Sequence, residues 1–226
     1  PLYQVITEFS PNYVGIGFMT AAFNTTKIIA SWLKIKFPLT PLIVGGAHPT
    51  VEPICTLQQI PEVDAVCVGE GEDVCAEILF QNQLTSSIEG LLVRGEESLY
   101  RPRAVDVNID RLALPNPKVF PLSFYMAPSI NTTFGWMTRS FGVLTSRGCP
   151  YSCKFCGGNW NKPIRSHSPK YVENLVRHLA TFNIDTVAFW DDTIACQSDR
   201  LFEICDRLRH SKLFKPKGKM RWRASL

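Results

Sequence analysis

Four short runs rich in valine and isoleucine, "YVGIGFM", "LIVGGA", "AVCVGE" and "GLLVR", punctuate the first ninety residues, and helix-like segments lie between them at 25–36, 51–59 and 73–84. Apolar runs too short for helices, alternating with amphipathic segments, specify βαβ units and hence a parallel sheet. The runs are almost continuously apolar, as strands must be when helices cover both faces of the sheet. The fold class expected is therefore α/β, a Rossmann-like doubly wound sheet. Three of the runs end in glycine-bearing turns, "GFMT", "GGAHPT" and "GEGED", beyond the carboxyl ends of the strands, where such sheets hold their ligands.

The pattern dissolves over residues 94–140. "ALPNPKVFPLSFYMAPSINTTFG" carries prolines, scattered aromatics and no sustained period, which reads as an irregular connection. Order returns with "FGVLT", a helix beginning near Pro169, the strand "TVAFW" followed by Asp191 and Asp192, a second helix over about 199–209, and a last run "MRWRAS". The expected division is residues 1–93 as the Rossmann-like domain, 94–140 as linker, and 141–226 as a second βαβαβ region.

With 45% hydrophobic residues in 226, the chain buries an ordinary core, and no apolar stretch reaches the ~20 residues of a membrane span. The first residues show no basic region and no small-residue cleavage site, so no secretory signal is read and a cytoplasmic location is expected. In that compartment eight cysteines stand for reduced thiols or metal ligands rather than a disulfide framework. The net charge of +4 is concentrated in "KLFKPKGKMRWR", a candidate nucleic-acid patch that no aromatic stacking pattern accompanies and that reads better as a solvated turn around Pro216 and Gly218. No nucleic-acid or membrane partner is expected.

The chemistry concentrates in "SRGCPYSCKFC", where Cys149, Cys153 and Cys156 follow a strand at C-x3-C-x2-C spacing. A free thiol is mostly protonated at neutral pH, so three in one loop imply a metal that holds them as thiolates. Zinc would need a fourth ligand, for which His167 is the nearest candidate. Three cysteines on a 4Fe-4S cluster instead leave one iron open to a substrate or cofactor, whereas a ferredoxin supplies four.

"CPYSCKFC" resembles the signature of the radical S-adenosylmethionine (SAM) superfamily, C-x3-C-x-aromatic-C, with Phe155 as the aromatic. The resemblance implies that Cys149, Cys153 and Cys156 ligate three irons in the first βα loop of a partial TIM-type barrel. SAM would chelate the fourth iron, and its reductive cleavage would release a 5′-deoxyadenosyl radical. It further implies that Phe155 lies against the adenine. Asp191 and Asp192 occupy the place where relatives contact the SAM amino group, with "FWDDT" in place of Gly-Gly-Glu; helix capping or hydrogen bonding at the barrel top is the alternative. Arg165 stands at a basic position found after the cluster loop, or is an ordinary surface arginine. The remaining cysteines, Cys55, Cys67, Cys75, Cys196 and Cys205, are expected as small core residues.

The first domain is similar to the cobalamin-binding domain of the cobalamin-dependent radical SAM branch. Of that domain's three signals, the glycine pair is present as Gly45 and Gly46, expected to let the nucleotide tail approach the backbone. Gly17 stands where the serine of the Ser-x-Leu stretch is found, and the histidine loop would precede Pro1; His48 is no substitute for it. Cobalamin binding is therefore expected to be weak and without a histidine ligand to cobalt.

The expected function is that of a radical SAM enzyme of the cobalamin-linked branch, carrying out methyl transfer or another radical step on a small-molecule or natural-product-like substrate. Flavodoxin or ferredoxin is the expected electron donor. The alternative is a zinc-binding interaction module without catalysis. From 141 onward the chain holds two βα units and a third strand, where a six-unit partial barrel needs on the order of 180 residues. The chain is thus expected to be a fragment, with an unpaired strand edge and no turnover by itself.

Overall fold

The structure is a computed structural model, and it describes residues 2–119, 121, 129–131, 136–154, 156, 163–182, 184–211, 213 and 220–224. The chain divides into two compact units, Pro1–Val105 and Asp106–Leu226.

In the first unit, helix α1 (Leu2–Phe9) precedes strand β1 (Val14–Gly17), helix α2 (Phe23–Lys36) and strand β2 (Leu42–Gly45). Two short helices, α3 (Ala47–Val51) and α4 (Pro53–Gln59), lead to β3 (Ala65–Cys67), α5 (Gly71–Gln81) and β4 (Leu91–Val93). The sheet order is β1-β2-β3-β4, with the first three strands parallel. Successive residues of β3 and β4 alternate between two cores, as the period of a strand requires. Val66 and Leu92 pack with Ala30 and Leu33 of α2 and Leu57 of α4, while Ala65, Cys67, Leu91 and Val93 pack with Val74 and Ile78 of α5. Helices thus cover both faces.

One strand departs from the expected all-parallel arrangement, because β4 pairs antiparallel to β3. Helix α5 ends at Asn82, whose left-handed backbone (φ 50°) stops it. The following loop then brings Gly90 level with Val68, whose amide donates to the Gly90 carbonyl at 2.8 Å. There Gly90 turns the chain at φ 82°, with Val74 and Arg103 too close to admit a side chain easily, and β4 runs back down the sheet.

The stretch 94–140 is divided between the units. Arg94 donates to the carbonyls of Leu57, Ile60 and Val63 at 2.7–2.9 Å, a cation closing the carboxyl end of α4. Arg103 pairs with Glu77 of α5 at 2.5 Å. From Asp106 the contacts belong to the second unit: the Asp106 carbonyl accepts from Arg165, and the Pro115 carbonyl lies 2.9 Å from His178 Nε2. Further on, β5 (Ser129–Asn131) and β6 (Trp136–Thr138) form an antiparallel pair.

The second unit is built on a parallel sheet of β7 (Ser140–Val143), β10 (Thr186–Phe189) and β11 (Arg221–Ala224), with β10 in the centre. Between β7 and β10 lie β8 (Ser146–Arg147), β9 (Arg165–Ser166) and helix α6 (Pro169–Ala180); helix α7 (Ser198–His210) follows β10. Ser168 caps α6 by accepting from the Tyr171 amide at 3.1 Å, and Pro169 is preset for the first helical position. Val172, Leu175, Val176 and Leu179 recur at i, i+3, i+4 and i+7, so α6 buries one stripe against Val143, Val187 and Phe189. The opposite face of the sheet is small: the Trp190 ring lies so close over Gly142 that a Cβ there would stand 2.9 Å from it.

Among the described residues no helix is long and apolar enough to cross a membrane. Most of the basic run "KLFKPKGKMRWR" lies outside the described residues.

Candidate cluster and cobalamin sites

Strands β8 and β9 pair antiparallel, with Ser146 opposite Ser166 and Arg147 opposite Arg165. This ladder brings together the two stems of the loop that carries the three cysteines. Gly148, with φ 90°, turns the chain out of β8 into that loop. Cys149 is half-buried, and its Sγ lies 3.4 Å from the Thr193 hydroxyl. Cys153 and Cys156 are exposed, and the Cys156 amide donates to the Cys153 carbonyl at 3.0 Å. None of the three is sequestered in a core. Among the described residues, no three histidine, cysteine, aspartate or glutamate side chains stand together as a metal would need. The donor set is nevertheless that of a cluster with three protein-ligated irons: three thiols of one loop at the carboxyl end of a strand. Phe155 lies outside the described residues.

The base of this loop is fixed by a network that local spacing does not reveal. Asp191, 3% exposed, accepts through Oδ1 from the Thr145 amide at 3.0 Å, the Thr145 hydroxyl at 2.9 Å and the Ser146 hydroxyl at 2.5 Å. The Thr145 carbonyl accepts in turn from Arg200 Nη2 at 2.7 Å and from the His167 amide at 2.9 Å. Arg200 also donates to the His167 carbonyl at 2.8 Å. The adjacent Asp192 is exposed. The acidic pair therefore divides: Asp191 is turned into the fold beneath the loop, and Asp192 faces solvent.

His167 is held elsewhere. Its Nδ1 lies 3.1 Å from Asp110 and its ring stacks on Tyr171 with centroids 3.8 Å apart. Burial pushes its pKa below the ordinary 6.5, the Asp110 carboxylate opposing this only in part. Folding therefore favours the neutral ring: the full stability of this region is present above about pH 6.5 and declines as pH falls through the folded value. We expect urea midpoints of the second unit to fall between about pH 7 and pH 5, and the slope over that window to flatten in His167→Gln; an unchanged slope in the variant would refute this assignment. Arg165, expected on the surface if not at the site, is 3% exposed on β9, and its guanidinium donates to the Asp106 carbonyl at 2.8 Å.

In the first unit the glycine turns meet at the carboxyl ends of β1 and β2. The Phe18 amide donates to the Gly45 carbonyl at 3.0 Å, and the His48 amide to the Phe18 carbonyl at 3.3 Å. His48 packs against Phe18 and Phe23 with its Nδ1 3.1 Å from the Thr20 hydroxyl. Gly46 has φ 95°, and a Cβ on it would stand 3.0 Å from the Phe18 amide nitrogen and carbonyl oxygen, so the chain's own packing demands glycine here. A Cβ on Gly45 would make only ordinary contact with Cys67, and one on Gly17 would meet nothing within 4 Å. Gly46→Ala should thus cost about 2–3 kcal/mol, whereas Gly17→Ser should stay within about 0.5 kcal/mol. Urea unfolding of the two variants checks this, and equal midpoints would contradict it.

The remaining cysteines differ from the expected core set. Cys67 is buried, and burial, with Cys75 nearby, pushes its thiol up to about 11. Cys75 is exposed on α5, and Cys55, Cys196 and Cys205 are half-buried.

The fold and site define a Rossmann-like unit followed by a second α/β unit whose three-stranded parallel sheet carries a three-cysteine loop. The B12 binding domain family matches residues 2–79. The chain is 29% identical over 222 residues to an uncharacterized methyltransferase, PH0819, of Pyrococcus horikoshii, covering 93% of this chain and 46% of that protein. It is 26% identical to the cytidylyl-2-hydroxyethylphosphonate methyltransferase of Streptomyces wedmorensis, covering 98% and 48%, and 27% identical to the cobalamin-dependent radical SAM methyltransferase TokK of Streptomyces tokunonensis, covering 72% and 24%. In fold it matches the radical SAM methyltransferase TsrM of Kitasatospora setae, solved with tryptophan and a SAM analogue, at a TM-score of 0.71 and 20% identity over 98% of this chain and 44% of that one. The chain spans about half the length of the first two relatives. Residues 2–79 are thus a B12 binding domain, and over most of its length the chain is similar to proteins named as methyltransferases, one of them cobalamin-dependent and radical SAM.

Proposed function

We propose that this chain carries the cobalamin unit and the cluster loop of a radical SAM methyltransferase acting on a small-molecule acceptor. The single observation that carries the reading is the cysteine loop itself: three thiols beyond a barrel strand, its stems closed by the β8–β9 ladder and its base fixed by Asp191. Cys149, Cys153 and Cys156 would hold three irons, with Phe155 and the exposed Asp192 directed to SAM. Gly17, beside which space is open, and the turn at Gly45 and Gly46 would face the cobalamin. When bound, the cluster would supply the electron for SAM cleavage and the cobalamin a carrier for the methyl group. This chain's residues bind and orient those groups, and a small one-electron carrier protein of the flavodoxin or ferredoxin kind would deliver the electron.

The relatives named above support methyl transfer in preference to the zinc module, whose fourth ligand, His167, is engaged by Asp110 and Tyr171. The test is anaerobic reconstitution of the protein with iron and sulfide, followed by metal analysis and titration with cobalamin. A brown protein with about four irons per chain is expected, together with a spectral change on adding cobalamin. A colourless protein that takes up zinc and no iron would overturn the reading.

A further inference from the structure

The segment after β10 reaches the cysteine loop at two points. Asp191 anchors Thr145 and Ser146, the residues from which the loop departs. Two residues on, Thr193 stands at the amino end of the short 3-10 turn Ile194–Cys196, a place where a threonine hydroxyl ordinarily caps the turn. Here it makes no cap hydrogen bond; its Oγ1 lies 3.4 Å from Cys149 Sγ instead.

We infer that Thr193 is a positioning residue that tunes the reduction potential of the cluster through the sulfur of Cys149. The inference rests on the cluster reading above. Once Cys149 is bound to iron its sulfur has no proton, so the Thr193 hydroxyl is the only possible donor of this pair. A donor to a ligand sulfur stabilises negative charge on it. One-electron reduction adds a negative charge to the cluster, so the hydrogen bond favours the reduced form and raises the potential. Asp191 keeps the geometry constant by fixing where the loop begins, so Thr193 meets Cys149 at a set separation.

The experiment compares the reconstituted wild-type protein with Thr193→Val, which keeps the shape and removes the donor, and Thr193→Ser, which keeps the donor. Iron content is measured first. The midpoint is then read from an anaerobic titration with dithionite, which supplies the electron, followed by the electron paramagnetic resonance signal of the reduced cluster. Equal iron loads are expected in all three, with the midpoint of Thr193→Val shifted to more negative potential and that of Thr193→Ser close to wild type. A midpoint unchanged in Thr193→Val at full iron load would overturn the inference while leaving the cluster reading intact. Loss of iron from Thr193→Val alone would overturn it in favour of a role in assembly. Failure of the wild-type protein to take up iron would overturn the cluster reading, and this inference with it.

Discussion

Cys153→Ala is expected to abolish iron uptake on reconstitution and to leave the first unit folded. A cluster held by three thiolates loses its anchorage when one is removed, because the open iron already lacks a protein ligand. Cys153 is exposed, so its truncation removes no core contact. The cores of the first unit are made by residues between Ile6 and Val93, and that of the second by residues between Val143 and Met220. Iron analysis and far-ultraviolet circular dichroism, with a urea profile for each variant, measure both halves of the expectation. Full iron load in Cys153→Ala would remove this residue from the ligand set. Loss of iron accompanied by unfolding of the whole chain would show that the two units are one cooperative body.

Asp191→Ala is expected to destabilise the second unit by about 3–5 kcal/mol. The carboxylate is buried, and its removal leaves the Thr145 amide and two hydroxyls without their acceptor while Arg200 stays close by. Asp191→Asn keeps an acceptor oxygen and the shape of the side chain, and should recover more than half of that loss. The exposed neighbour supplies the internal comparison, since Asp192→Ala should change the urea midpoint little. If the Asp191 and Asp192 variants were equally stable, the anchoring role would be wrong.

These adjacent aspartates show where the sequence was legible and where it was not. Strand-forming runs such as "FGVLT" and "TVAFW" reveal themselves by composition, and their observed bounds, Ser140–Val143 and Thr186–Phe189, differ only at the ends. Helix α6 announces its start through Ser168 and Pro169 and its buried face through a 3.6-residue period. The cysteine spacing survives translation into a loop because all three thiols are local. Asp191 and Asp192 look alike in a string of letters, since only the direction of the strand end decides which is buried. Arg200 sits in the first turn of a helix 55 residues from the carbonyl it holds, so no local period could report it. The antiparallel β4 escaped for a similar reason: "LLV" has the composition of a strand in either direction, and Gly90 sets the direction. The proline-rich stretch read as a connection lacks periodicity, yet Arg94 and Arg103 tie its start to the first unit through contacts that only the folded chain creates.

The β8–β9 ladder bears on how the loop would take up a metal. With its stems already tied together, the loop is a closed ring of chain before any iron arrives, and the entropy of closing it belongs to folding rather than to metal binding. The thiols of Cys149, Cys153 and Cys156 are then tethered neighbours. The first sulfur to engage an iron would confine the other two to a small volume around it, raising their effective concentration to the order of millimolar or more. The folded ring would therefore act as a chelator rather than as three independent ligands: its grip on a metal would be lost steeply when the stems part, and would grow with the stability of the ladder that holds them.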